Sequence, residues 1–316
     1  MYSKRTRFDY RSRIRRKRIV FLLAALLAAG TVTAVVIPFS SRLNGNGRPR
    51  REILRHWENG SFDEVFRLSQ AALELRPADY FLLTMHGFSA YQLGISQINS
   101  LDAARYFNEC TVSLRRAMLL RNSAGDGRLY YVLGKAYSYK GESYADLVIK
   151  YLEKARELSY NIADIPEYLG MAYASIGDYR SSVAAFSEAL NPRGDGGYSG
   201  QSGLLHLSIA GSYFALNEYE TARAYLLRCI DVSRDSNILL QAKLLLAQVL
   251  ENTGDTDGAI RHLTEILDES GDIAEVHYRI GELYARQGET ARARASWRQA
   301  IRADPAHASA RVRLSM

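Results

Sequence analysis

A pattern that returns roughly every 34 residues constrains this chain more than any single motif. Leu133-Gly134-x-x-Tyr137-x-x-x-Gly141 recurs as Leu169-Gly170-x-x-Tyr173-x-x-x-Gly177 and as Ile280-Gly281-x-x-Tyr284-x-x-x-Gly288. After each comes a second apolar stretch in which a large residue precedes a small one by three positions: Leu152 and Ala155, Phe186 and Ala189, Trp297 and Ala300. That spacing puts each pair on one helix face, and the closing glycine suits the left-handed backbone with which helices commonly end. Each period therefore predicts a helix, a tight turn and a second helix. One such hairpin cannot bury its apolar face alone, so the hairpins must stack.

With these residues in hand, the chain resembles the tetratricopeptide-repeat (TPR) family. Its unit has a large residue, Leu-Gly and Tyr on helix A, then Phe and a small residue on helix B, with Pro near the end. Seven units begin at Asn46, Tyr80, Gly127, Ala163, Gly203, Leu240 and Ala274. Their turn position reads Gly60, Gly94, Gly141, Gly177, Asn217, Gly254 and Gly288, the two residue types that best tolerate a left-handed conformation. The close-packing position on helix A reads Ile53, Gly87, Gly134, Gly170, Ala210, Ala247 and Gly281. Ile53 makes the first unit degenerate. The second unit carries four extra residues between Gly94 and Ala103. Residues 191–200 form a Gly-rich loop, and residues 306–315, after Pro305, form a polar capping helix. The resemblance implies an all-α fold, a right-handed α-solenoid of about seven hairpins with a C-terminal cap.

Ahead of the repeats, residues 19–39 make 21 consecutive uncharged residues. At 1.5 Å per helical residue, this suffices to cross a hydrocarbon core of roughly 30 Å. Nine Lys or Arg precede the run and four follow it by Arg51, a bias that keeps the N-terminus in the cytoplasm and sends the rest across the membrane. The expected organisation is a basic cytoplasmic segment over 1–18, a transmembrane helix over 19–39, a linker over 40–48 and the solenoid over 49–316. The rival reading is a signal peptide cleaved near Ala34, where Val32-Thr33-Ala34 offers small residues. The formal charge of +7 belongs to this end: residues 1–51 carry +12, and the remainder carries −5. Nucleic acid is therefore not an expected partner.

The six histidines are scattered, with no HExxH and no close His/Cys set, so no metal and no cofactor are expected. Cys110 and Cys229 occupy the small helix-B position of their units and read as buried small hydrophobes. Asp255-Thr256-Asp257-Gly258 resembles the start of a calcium loop but lacks its later carboxylates, and reads as an acidic helix start. No nucleophile is paired with a base, so catalysis is not expected; the rival class is an enzyme whose site divergence has hidden.

The resemblance implies a protein partner held along the concave wall made by helix A. Carried over position by position, the contacts fall on Phe88, Tyr91, Arg128, Tyr131, Lys135, Tyr139, Phe214, Gln248, Asn252, Tyr278 and Arg286. An aromatic stripe at helical spacing is equally well a core face, and both readings stand at this point. The Lys, Asn and Arg set with which some TPR domains hold a chaperone's terminal carboxylate is absent: Tyr131 and Lys135 stand where that set has Lys and Asn. A part in an envelope machine, such as a flagellar, secretion or outer-membrane assembly apparatus, is the alternative role.

Overall fold

Pairs of helices follow one another along the chain at the spacing that the repeats predict. The computed structural model describes residues 47–120, 125–190 and 202–315. The apolar run 19–39, the basic segment before it and the Gly-rich loop 191–200 lie outside these residues. Among the described residues there are fifteen α-helices and no strand: α1 (Gly47–Glu58), α2 (Phe62–Leu75), α3 (Tyr80–Ser96), α4 (Ser100–Met118), α5 (Gly127–Ser138), α6 (Ala145–Glu157), α7 (Ile165–Ser175), α8 (Tyr179–Leu190), α9 (Ser202–Ala215), α10 (Tyr219–Val232), α11 (Ser236–Asn252), α12 (Thr256–Ser270), α13 (Ala274–Arg286), α14 (Thr290–Ala303) and α15 (Ala308–Ser315). α1 starts two residues inside the expected linker, because Pro49 in a first helical turn costs no backbone hydrogen bond. Among the described residues no helix is long and apolar enough to cross a membrane.

The chain falls into two compact units. The first comprises the described residues of Met1–Gly141 with Glu153–Tyr160, and the second comprises Glu142–Leu152 with those of Asn161–Met316. In the first, α1 to α5 pack each against the next, and α3 also touches α5. In the second, α7 to α15 do the same, with α9 also touching α7 and α11. Among the described residues of the second unit, packing clusters join one hairpin to the next. Phe186 and Ala189 of α8 close over Leu205 and Ile209 of α9, and Leu226 and Cys229 of α10 over Ala242, Leu246 and Val249 of α11. Ala259, Leu263 and Ile266 of α12 then meet Val276, Ile280 and Leu283 of α13. α15 ends the series by bringing Ala310 onto Trp297.

The turns show why the repeat is so regular. Asn217 takes φ +61°, alongside positive φ at Gly60, Gly141, Gly177, Gly254 and Gly288, as a left-handed helix end requires. Gly94 departs from this expectation. α3 runs on to Ser96, so Gly94 is helical, and a Cβ there would lie 2.8 Å from the Phe107 ring. The four extra residues carry the turn instead, and Asn99 caps α4 by accepting from Leu101 N. Asp255 is likewise an N-cap, its Oδ1 accepting from Gly258 N at 2.9 Å.

Small residues on helix A let the two helices of a hairpin meet. A Cβ on Gly170 would stand 2.6 Å from the Phe186 ring, which is itself buried. Gly211, elsewhere on a helix A, has nothing within 4 Å of that point. Gly170→Ala should therefore lower stability by about 1–3 kcal/mol through overpacking. Gly211→Ala should raise it by about 0.5–1 kcal/mol through helix propensity. Urea midpoints of the two variants should move in opposite directions.

α3 is apolar on nearly all sides and buried on nearly all sides. Inside it, His86 stacks on Phe66 at 4.3 Å, its Nδ1 lies 2.8 Å from Ser113 Oγ, and its buried Nε2 has no partner. Burial first, and the Arg116 guanidinium second, push the His86 imidazole down to about 4. The folded state thus takes up its proton later than the unfolded chain, whose histidine titrates near 6.5. The neutral ring's contribution is fully present above about pH 6.5 and is lost as pH falls toward about 4, a loss on the order of 3 kcal/mol. Unfolding titrations should show this decline in the parent protein and a flatter one in His86→Gln.

Candidate partner-binding face

In the first unit, helix A of the second and third hairpins, α3 and α5, carries the expected contacts. Tyr91 on α3 is buried, 6.2 Å from the Phe107 ring and 6.3 Å from Tyr139. Tyr139, just past α5, is half exposed and lies parallel to Phe107 at 4.9 Å. The two tyrosines thus form one aromatic cluster whose outer member is Tyr139. Phe88 is not part of it; its ring is half-buried, 6.4 Å from Trp57 of α1.

On α5, Arg128, Tyr131 and Lys135 share one face. Lys135 is buried, with Nζ 5.6 Å from the Tyr131 ring, and Tyr131 in turn lies 5.5 Å from Tyr160. Arg128 Nε donates to Asp126 Oδ1 at 3.1 Å. Asp126 is shared, because the Tyr80 hydroxyl donates to its Oδ2 at 2.8 Å. Burial first, and the Asp126 carboxylate second, push the Tyr80 phenol well above its ordinary range. Of the expected contacts, Tyr91 and Lys135 are buried. Tyr139, Tyr131, Arg128 and Phe88 keep accessible surface.

In the second unit the expected residues contact one another within a hairpin and, at Asn252 and Arg286, residues of the neighbouring hairpin. Phe214 on α9 meets Tyr219 edge-on at 5.6 Å. The Tyr219 hydroxyl donates to Asn217 Oδ1 at 2.8 Å and lies 3.4 Å from Asn252 Oδ1. Asn252 is exposed and spends its amide on the Gln248 carbonyl, 2.8 Å away. Arg286, also exposed, is ion-paired with Glu251 of α11. Tyr278 lies 5.1 Å from His307 at the foot of the capping helix. Glu282 on the same α13 is held by Arg313 at 2.6 Å. Glu282 lies on the expected wall, whereas Tyr219, Glu251 and Arg313 were not among the expected residues. Tyr219 opens a helix B, off the wall where contacts were sought, and the Glu–Arg pairs join residues about thirty positions apart.

Burial raises both thiols, Cys110 and Cys229, above their ordinary range, so neither is a thiolate at neutral pH. Among the described residues no group of three or more His, Cys, Asp or Glu is placed to hold a metal ion.

Residues 174–316 match the family model described as a tetratricopeptide repeat-like domain. Among solved structures, the C-terminal part of a TPR repeat-containing protein from Cytophaga hutchinsonii superposes with a TM-score of 0.56 at 15% identity, covering 84% of this chain and 99% of that one. The fold is that of a tetratricopeptide-repeat protein. YrrB, described as a TPR protein with an unusual peptide-binding site, matches at a TM-score of 0.46 and 19% identity, over 64% of this chain and 98% of its own. MamA matches at a TM-score of 0.46 and 20% identity, over 59% and 92%. No curated protein sequence matches the chain.

Within this TPR fold the ties at Asp126 are unequal. Asp126→Ala should strand the buried Tyr80 hydroxyl and cost about 1–3 kcal/mol. Arg128→Ala removes a part-buried ion pair, its side chains 28% and 12% exposed, but leaves the Tyr80–Asp126 hydrogen bond in place, and should cost less than Asp126→Ala. Thermal unfolding of the two variants should rank them, with Asp126→Ala the less stable.

Proposed function

We propose that the chain is a non-catalytic TPR scaffold, anchored in a membrane by residues 19–39, that holds a protein partner on the exterior, periplasmic side. The observation that carries this reading is a stack of helical hairpins directly preceded by 21 uncharged residues with nine cations before them. The hairpins offer accessible aromatic and cationic side chains, Tyr139, Tyr131 and Arg128, of the kind that anchor peptides and helices. A TPR array supplies recognition surface without reacting groups, and its place at a membrane would make that surface a point of recruitment.

A phosphatase reporter fused after Met316 should be active only outside the cytoplasm, and the chain should stay with the membrane through an alkaline carbonate wash. A mature N-terminus near Ala34 would instead establish the secreted form. From detergent-solubilised membranes, the full chain should co-purify a specific protein. Tyr131→Ala combined with Tyr139→Ala should weaken that association on the order of ten-fold or more. Unchanged recovery would reject the helix-A face as the contact.

A further inference from the structure

The four most exposed large apolar side chains among the described residues all belong to the first unit: Ile98 at 92%, Leu75 and Leu119 at 86%, and Leu101 at 78%. Two of them sit on one line along α4. Leu101, Val112 and Leu119 follow as i, i+11 and i+18, intervals that return to the same side of a 3.6-residue helix over about 27 Å. Val112 is exposed as well. The opposite side of α4 buries Phe107, Cys110, Leu114 and Ala117. The outer side carries these three apolar side chains among polar ones, with exposed Asn108 on the same line and exposed Glu109 beside it. Arg105 and Arg115 flank the outer stripe on either side, both exposed, with Arg116 next to the latter. An apolar line edged by arginines is how a helix lies in the interfacial plane of an anionic bilayer, aliphatic groups down and guanidinium groups among the headgroups.

The path of the chain favours lipid as the occupant. Arg50 of α1 grips Asp79 through both carboxylate oxygens at 3.1 Å. Arg116 Nη2 donates to the Pro77 carbonyl at 2.7 Å. The start of α1 and the end of the α4 stripe therefore meet at the short loop between α2 and α3, the edge from which Leu75 and Leu119 project. Eight residue steps separate Phe39, where the apolar run ends, from Gly47, a reach of at most about 28 Å. The intervening stretch and α1 add further cations, with Arg51 and Arg55 exposed.

We propose that the outer face of α4, with Leu101, Val112 and Leu119 between Arg105 and Arg115, rests on the anionic lipid surface of the membrane that residues 19–39 enter. The first unit is then held against the bilayer instead of hanging on its tether. This rests on the anchor reading above.

The test uses the full chain in phosphatidylglycerol-containing vesicles, with an environment-sensitive nitrobenzoxadiazole probe at Val112→Cys or Leu119→Cys and, as control, at the exposed Arg261→Cys of α12. Native Cys110 and Cys229 are fully buried, so the label goes to the new thiol. Probes at 112 and 119 should shift to the blue and be quenched by nitroxide-bearing lipid, whereas the probe at 261 should not. Arg105→Glu with Arg115→Glu, or replacement of the anionic lipid by phosphatidylcholine, should abolish both effects. A water-like spectrum at 112 and 119 overturns the proposal. So does a blue shift that lipid nitroxide does not quench, which would mean a second copy of the chain or another protein covers the stripe. Carbonate extraction of the same vesicles reports on the anchor separately: a chain washed off after lipid quenching has been seen keeps the α4 docking and loses the anchor.

Discussion

Everything in this molecule depends on how closely the two helices of one hairpin approach each other. Gly87 meets Leu114, Gly170 meets Phe186 and Gly281 meets Trp297 where no Cβ would fit. The large residue of helix B fills the space left by the missing side chain of helix A, which sets how closely the two helices of the hairpin pack. The next helix A then closes over the other side of the same large residue, as Leu205 and Ile209 do over Phe186. Because the same device is used in successive hairpins, a regular sequence gives a regular stack.

That device is why the architecture was legible in the amino-acid sequence. A small residue, a large residue and a glycine at fixed intervals carry direct steric meaning, and the helices fall where those intervals place them. Gly94 was the exception. By spacing it looked like a turn glycine, yet the inserted residues let α3 continue, and its missing Cβ makes room for Phe107. An insertion changes the job of a residue without changing its identity, so spacing alone could not separate the two roles.

The candidate face was less legible, because burial depends on neighbours that are far apart in sequence. Tyr91 and Lys135 sit at positions that would point outward from an isolated hairpin, but both are buried. A signal for α3 was present, since a helix apolar all round has no side to give to solvent. No comparable signal marked Lys135, whose charge argued for exposure while its ammonium lies over the Tyr131 ring. The ties made by Tyr219, Arg286 and Arg313 join neighbouring hairpins, and a repeat pattern that describes one unit at a time does not contain them.

The sharing of the described clusters between consecutive hairpins has a consequence for how the chain reaches its fold. Nearly all of its packing partners lie within two helices of each other in sequence, so little loop-closure entropy stands between the extended chain and its first stable contacts. A polypeptide delivered from one end, whether from a ribosome or through a narrow channel, could complete each cluster as soon as the following helix A emerges. Its order of assembly would then be the order of its residues.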